Sequence, residues 1–464
     1  MVVGDITEST DVVVVGGGPG GYVAAIKLAQ YGRDVTLVEK DELGGICLNH
    51  GCIPSKALIH AGDVLQEVKD FEGFEQLSIE KNHEKIQEWK EKVVNKLTSG
   101  VELLEEKNGV NIVKGTARFK GKHRLHVNDE ESSKTFDFNK CVLATGSSPI
   151  EIPGIEFSKK DVISSKEALK LEKIPEKLVI VGGGYIGMEL GTAYRKLGSK
   201  VTIIEAEDTV LPRIHGKAVK QVKKRAEDLG IKIKEGEKAE EVVDKKGVTF
   251  LKTNLSQYPA DKVLVAVGRT PDTSLVKPDK AGVELDDKGF IKTDEQMRTS
   301  NNNIYAIGDV AGEPVLAHNA MHEAKVAAKN ITGKTSFVSR QAKPYVVYTD
   351  PEIAQTGLTE EEAEEKDFDI KKGFFSFGAN GRAMTMDFKK GFVELLSDEK
   401  TGVVLGGTVC GPNASELISE ISLAVETGCL VEDLSLTLHP HPTLSEAVLE
   451  AAEDVEDDSP HKYK

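Results

Sequence analysis

Apolar positions along the chain follow two patterns. There are short β-branched runs of four or five residues, and longer stretches in which apolar residues recur every three or four positions. The first pattern predicts buried strands and the second amphipathic helices. They appear together at Asp11–Asp41, DVVVVGGGPGGYVAAIKLAQYGRDVTLVEKD, as a strand, a glycine-rich turn, a helix, a glycine and a second strand ending in Glu39. Lys177–Glu207, KLVIVGGGYIGMELGTAYRKLGSKVTIIEAE, repeats this without a gap at a constant offset of 166 residues. Further helices are expected at Ile53–Val68, at the highly charged Ile79–Lys107, which holds the only tryptophan, Trp89, and at Asn413–Thr427. Strands are expected in KVLVAVGR (Lys262–Arg269), in NIYAIGDVAG (Asn303–Gly312), where Asp309 falls just past the strand, and in the alternating run GFVELLSD. The pattern changes character near Arg340, which places a domain boundary there, and the tail EAAEDVEDDSPHKYK reads as a frayed, charged end.

Strand, glycine turn, helix, strand and terminal acid together form a dinucleotide fingerprint, present twice. Gly16, Gly18 and Gly21 fill its glycine positions in the first copy, and Gly182, Gly184 and Gly187 in the second. The first glycine permits the tight turn, the second lets a pyrophosphate approach the backbone, and the third lets helix and strand pack closely. The pyrophosphate then rests on the helix N-terminus, where unpaired N–H groups favour negative charge. Glu39 and Glu205 each follow the last glycine by 18 residues, near the spacing of a ribose-binding carboxylate. Two copies imply either two bound dinucleotides or one duplicated domain that has partly decayed. In the second copy Glu205 would bond a free 2'-hydroxyl and repel a 2'-phosphate, and no arginine follows until Arg213, which favours NAD over NADP.

The chain has 464 residues, enough for several domains, and a formal charge of -16 from 60 basic and 76 acidic residues. That balance argues against nucleic acid as the main partner. No run of 18 apolar residues suggests a membrane span, and the N-terminal stretch lacks the pattern of a secretory signal. Five cysteines, an odd and sparse count, point to a reducing, cytoplasmic setting. Two of them, Cys47 and Cys52, lie close together in LGGICLNHGCIPSKAL. A zinc site needs two further ligands at suitable spacing, and a structural staple does not suit that compartment, so a redox thiol pair fits best. The expected helix begins just after Cys52, and a thiol near a helix N-terminus has a larger thiolate fraction. Near the C-terminus, LHPHPTLSEAVLEAAE sets His439 and His441 about a proline, with Glu446 five residues after His441, a spacing that can orient a base.

The cysteine stretch, both fingerprints, ATGSSP, GRTPDT, IYAIGDV, LAHNA and HPHPTLSEA occur in order from Val12 to about Glu450. Together they resemble the pyridine nucleotide–disulfide oxidoreductases. The resemblance implies an α/β fold with two Rossmann-like dinucleotide-binding domains, for FAD and NAD, and a C-terminal α+β dimerisation domain. The boundaries are then 1–150 and 274–339 for the two parts of the FAD domain, 151–273 for the NAD domain and 340–464 for the interface. FAD would meet Glu39 on its ribose, backbone at Ala117 and Thr145, Gly146 and Ser147, Asp309 on the ribityl chain, Leu316, Ala317 and His318 beneath the ring, and Lys56 beside it. NAD would meet Glu189 at the nicotinamide, Glu205 at the ribose and Gly268 nearby. The wording CLN…CIPSK suggests oxidation of protein-bound dihydrolipoamide, with Cys47 as the interchange sulfur and Cys52 nearer the flavin. His441, oriented by Glu446, would serve the other subunit of a homodimer. A lipoyl-domain-bearing acyltransferase assembly would be the partner, and no metal is implied. The sequence departs from the family wording at His50, between the cysteines, at VLPRIHGKAV and at GRAMTMD. Alternatives remain. A glutathione-type reductase would want an arginine after the second fingerprint; mercuric or large thioredoxin reductases would want a C-terminal cysteine pair. A flavoprotein whose main role is docking to a complex is a different class.

Overall fold

The computed structural model describes residues 6–74, 79–129, 133–158, 160–339 and 341–461. Arg340, where the sequence suggests a boundary, lies outside the described residues. The β-branched run VVVV becomes the centre of strand Ile6–Val15, with Val12, Val13 and Val14 fully buried. Strands buried on both faces suit a parallel sheet covered by helices. The sheet runs Asn111–Lys114, Val35–Glu39, Ile6–Val15, Ser133–Leu143, then the antiparallel pair Arg124–Asn128 and Thr116–Gly121. Ile304–Ala306 adds in parallel to the end of Ser133–Leu143, pairing Ile304 with Cys141 and Ala306 with Leu143.

The second copy builds a smaller parallel sheet in the order Lys232–Lys234, Lys200–Ile204, Lys177–Val181, Lys262–Val265, Val162–Ile163. An antiparallel three-stranded sheet, Ala239–Lys245, Val248–Thr253 and Gln257–Ala260, lies beside it in the chain. The two dinucleotide units are tied by a two-stranded ribbon in which Ser147–Pro149 pairs with Arg269–Pro271. The C-terminal region is an antiparallel sheet of five strands from Tyr345–Val347 to Val404–Gly411, packed against helices Ala414–Thr427 and Glu446–Val455.

The charged helix runs His83–Lys107, starting four residues later than expected, because the Asn82 side chain accepts from the Lys85 amide and caps it. The tail differs from the frayed end expected. Ser459 Oγ donates to Glu450 Oε2 at 2.8 Å and the His461 ring lies 2.5 Å from Glu450 Oε1, so the chain is held down to His461. Among the described residues no helix is long and apolar enough to cross a membrane.

Candidate active site

Each fingerprint turn is shaped by glycine. Gly16 and Gly182 have φ of +101° and +103°, and a Cβ on either would fall 2.3 Å and 2.5 Å from the carbonyl oxygens of Ala144 and Ala266. Gly21 and Gly187 press on the turn from the helix: a Cβ there would lie 1.7 Å and 2.0 Å from the Gly16 and Gly182 carbonyl oxygens. The strand-end acids reach back to the turns. Glu39 Oε2 accepts from the Gly17 amide at 2.5 Å and Glu205 Oε2 from the Gly183 amide at 2.6 Å. The adjoining loops add the Asp41 and Glu207 amides at 2.7 and 2.8 Å. The two sites are thus the same geometry built twice.

Cys47 sits in the short helix Gly45–His50 and Cys52 opens the helix Cys52–Asp70, and the two are joined by a disulfide. The disulfide lines a cavity of ≈ 480 Å³ that also takes in Gly16, Gly18, Glu39, Ala117 and Thr145–Ser147 of the first unit. Lys56, Glu189, Asp309 and Ala317 line the same cavity. Lys56 lies one turn beyond Cys52, and its Nζ is 2.8 Å from Glu189 Oε2, whose side chain is only 4% exposed. The other Glu189 oxygen accepts from the Tyr348 amide at 2.9 Å, and Lys56 Nζ stands 4.3 Å over the Tyr348 ring. Ser147 Oγ donates to Asp309 Oδ2 at 2.5 Å and accepts from Arg269 Nε at 2.7 Å.

Several residues lie outside this cavity. Gly21 is under the turn, and Gly182, Gly184, Gly187, Glu205 and Gly268 belong to the second turn and its neighbouring strand. Leu316 caps helix Ala317–Ile331 and the His318 ring bonds the Pro344 carbonyl oxygen at 2.9 Å. Burial holds His318 below the ordinary histidine range. His441 and Glu446 are not among the lining residues. They do pair with each other, His441 Nδ1 to Glu446 Oε1 at 2.8 Å, while Glu446 Oε2 accepts from the Thr443 amide at 2.8 Å. Burial pushes the Glu446 carboxyl up, but the Thr443 amide and the two histidines outweigh it and hold it below the usual range. The His441 side chain is 78% exposed, whereas His439 is 4% exposed and occupied by Glu420 and the Thr437 carbonyl. This separates two histidines that the sequence left together: one is fixed in the fold, the other displayed.

Sequence reasoning did not single out Tyr185, Arg269, Asp272 and Tyr348 as site residues. Their signals were weak: Tyr185 directly follows Gly184 in the second turn, and Arg269 and Asp272 fall in GRTPDT. His50 also lines the cavity, and its Nδ1 is buried with no hydrogen-bond partner. Burial, with Lys166 and Lys170 nearby, holds its pKa below the ordinary value. Among the described residues no cluster of three or more His, Cys, Asp or Glu could hold a metal ion.

A disulfide beside a half-buried lysine paired with a buried glutamate, in a cavity that reaches the first dinucleotide turn, defines a disulfide oxidoreductase site. Residues 10–324 match the pyridine nucleotide-disulphide oxidoreductase family and residues 343–452 match its dimerisation domain, so the chain belongs to that family. It is 47% identical over 467 residues to a dihydrolipoyl dehydrogenase of Haloferax volcanii, covering 98% of each chain. It is also 47% identical over 459 residues to a dihydrolipoyl dehydrogenase of Staphylococcus aureus, again covering 98% of each. Among solved structures it superposes on LpdA of Mycobacterium tuberculosis with a TM-score of 0.90 at 26% identity, covering 96% of this chain and 99% of that one. The HOCl-induced flavoprotein disulfide reductase RclA of Escherichia coli follows, with a TM-score of 0.86 at 27% identity and the same coverage. The family works with FAD and NAD, and the residues fit both groups. Thr145 Oγ1 is buried without a partner beside the first turn, and the Gly18 and Gly184 positions leave room for a pyrophosphate to approach.

Proposed function

We propose that the chain oxidises protein-bound dihydrolipoamide to lipoamide and reduces NAD+ to NADH. The observation that carries this is the Cys47–Cys52 disulfide lining one cavity with the Lys56–Glu189 pair. The shared name of the relatives supplies the substrate class. Gly16, Gly18, Gly21, Glu39, Ala117, Thr145, Gly146, Ser147, Asp309, Lys56 and Leu316–His318 would hold FAD. Gly182, Gly184, Gly187, Glu189, Glu205 and Gly268 would hold NAD, with Glu205 selecting the free 2'-hydroxyl. The domains would divide at 150, 273 and 339.

The residues perform the thiol chemistry as follows. Glu446 occupies His441 Nδ1, which leaves Nε2 to take the first substrate thiol proton. The resulting thiolate attacks Cys47 Sγ. A substrate–Cys47 bond forms, the Cys47–Cys52 bond breaks, and the electron pair leaves on Cys52. The second substrate thiol attacks the first substrate sulfur and passes its proton to the departing Cys47 sulfur, which closes lipoamide and leaves Cys47 as a thiol, Cys52 as a thiolate and the first proton on His441. The dithiol has then lost two electrons and the protein disulfide has gained them. When bound, FAD supplies the route by which that pair passes from Cys52 to NAD+. His441 does not line the cavity of its own chain, and it is highly exposed, which supports its serving the disulfide of a second copy in a C2 homodimer. Leu436 and Leu438, 77% and 96% exposed, lie just before it and suit burial in that contact. The substrate would arrive on a lipoyl-domain-bearing, acyltransferase-centred partner in the cytoplasm.

Anaerobic titration of the holoenzyme with dihydrolipoamide, then NAD+, tests the reading. Reduction by two electrons followed by release of NADH, and failure of Cys52→Ser to pass electrons on, is the expected result. A flavin spectrum that does not respond to dihydrolipoamide would remove this substrate and leave the fold assignment standing.

A further inference from the structure

The helix that begins at Cys52 meets the second dinucleotide unit along a row of ion pairs spaced by seven residues. Lys56, Asp63 and Asp70 lie on one face of Cys52–Asp70, since seven residues are nearly two turns. Glu189 and Lys196, also seven apart, lie on helix Tyr185–Leu197 opposite. The rungs are Lys56–Glu189 at 2.8 Å, Asp63–Lys196 at 2.6 Å and Asp70–Arg225 at 2.7 Å, the last reaching helix Gly216–Asp228. Gly62 lets the helices approach: a Cβ there would stand 3.2 Å from Lys196 Cβ and 3.4 Å from the Ala193 carbonyl oxygen.

A third body holds the ladder. Asp350, on the loop after strand Tyr345–Val347, accepts from both Lys196 at 2.8 Å and Arg225 at 3.0 Å through one oxygen. Two residues earlier on the same loop, the Tyr348 amide holds Glu189, and the Tyr348 ring lies under Lys56. The loop therefore grips every rung. The Lys196 side chain is 5% exposed and that of Asp350 18%, so the central knot is shielded from solvent and salt. Burial opposes the Asp350 charge, but Lys196 and Arg225 outweigh it and hold the carboxyl below its ordinary range.

We infer that this ladder, locked by Asp350, is a positioning device for the NAD side of the reaction. It fixes the second unit, and with it Glu189, against the helix bearing Cys52 and Lys56, and it ties that alignment to the dimerisation domain. The inference rests on the function proposed above. Asp63, Lys196, Arg225 and Asp350 act through the Lys56–Glu189 pair and touch no reacting atom. The Cys47–Cys52 side is built within the first unit, so loosening the ladder disturbs the NAD half of the cycle and spares the thiol half.

Stopped-flow half-reactions on the dimeric holoenzyme separate these. In Asp350→Asn and Lys196→Met, reduction of the enzyme by NADH falls about tenfold or more while reduction by dihydrolipoamide stays within about twofold, and Lys196→Arg restores the NADH step. Equal losses in both half-reactions would make the ladder a general stabiliser and overturn the inference. So would two unchanged half-reactions. If Lys196→Met does not fold, Asp350→Asn keeps the Asp63–Lys196 and Asp70–Arg225 pairs and gives the same readout. If the unsubstituted enzyme is not reduced by dihydrolipoamide, the proposed substrate fails, and reduction by dithiothreitol then serves as the thiol half against which the NADH step decides the ladder.

Discussion

Replacing Glu105 by leucine stabilises the protein, and does so more as pH rises. Glu105 is fully buried near the end of helix His83–Lys107, and neither carboxylate oxygen has a hydrogen-bond partner. Burial lifts its pKa from 4.5 to about 8. In the unfolded chain the group ionises at its ordinary value, so between those two pH values the folded state holds a proton that the unfolded state has released. Stability is therefore complete below the unfolded pKa and is lost as pH climbs towards the folded pKa. Each pH unit in that window costs about 1.4 kcal/mol, which gives about 3 kcal/mol at pH 7 and about 5 kcal/mol above pH 8. That is a sizeable share of a folded domain's stability of about 5–15 kcal/mol. Glu105→Leu removes the slope. The assay is thermal unfolding of the dimeric holoenzyme from pH 5 to pH 8.5, read as the difference in Tm between variant and parent. The difference should grow steadily across the range. A flat difference would show that Glu105 keeps a partner or stays ionised, and the buried-acid argument would fail. Tyr22, whose phenol is raised by burial and then by Glu105, supplies a second readout: its titration should move down in the variant.

Three further outcomes follow from the site. Gly21→Ala places a Cβ 1.7 Å from the Gly16 carbonyl oxygen and should yield a chain that purifies without flavin colour, whereas Gly187→Ala should keep the colour and lose NADH binding by calorimetry. His441→Gln should cut turnover of dihydrolipoamide by about 10²–10⁴-fold while reduction of the enzyme by NADH persists; parallel losses in both would reject its role as base. Mixed dimers of Cys47→Ser and His441→Gln chains should regain activity that neither parent dimer has, since one of their two sites would then hold both intact groups; no recovery would place each histidine with its own disulfide.

The two dinucleotide units were legible because their constraints are local. A turn that tolerates no Cβ, a β-branched strand before it and an acid after the next strand are all written within about 30 residues. The family resemblance supplied FAD as the first dinucleotide and dimerisation as the role of the third region. What escaped is non-local. The ladder's spacing of seven at Lys56, Asp63 and Asp70 and at Glu189 and Lys196 is present in the sequence, but nothing there says which helix faces which. Glu105 lies in the highly charged stretch Ile79–Lys107, where nothing in the composition marks one acid out from its neighbours; in the fold it shares the buried stripe of Val94 and Val101. The tail looked frayed by composition, yet Glu450 holds both Ser459 and His461.

Ile304–Ala306 adds to the end of a strand that finishes at Leu143, and this has a consequence for synthesis on the ribosome. The sheet that begins the chain stays incomplete until about 160 further residues have emerged. The second parallel sheet, by contrast, draws all its strands from one uninterrupted stretch, Val162 to Val265. The later unit can close while the earlier one still waits for its last strand, so order of emergence and order of completion are reversed. The tether between them, Ser147–Pro149 against Arg269–Pro271, forms only once the second unit is finished, and the last strand of the first unit follows it out.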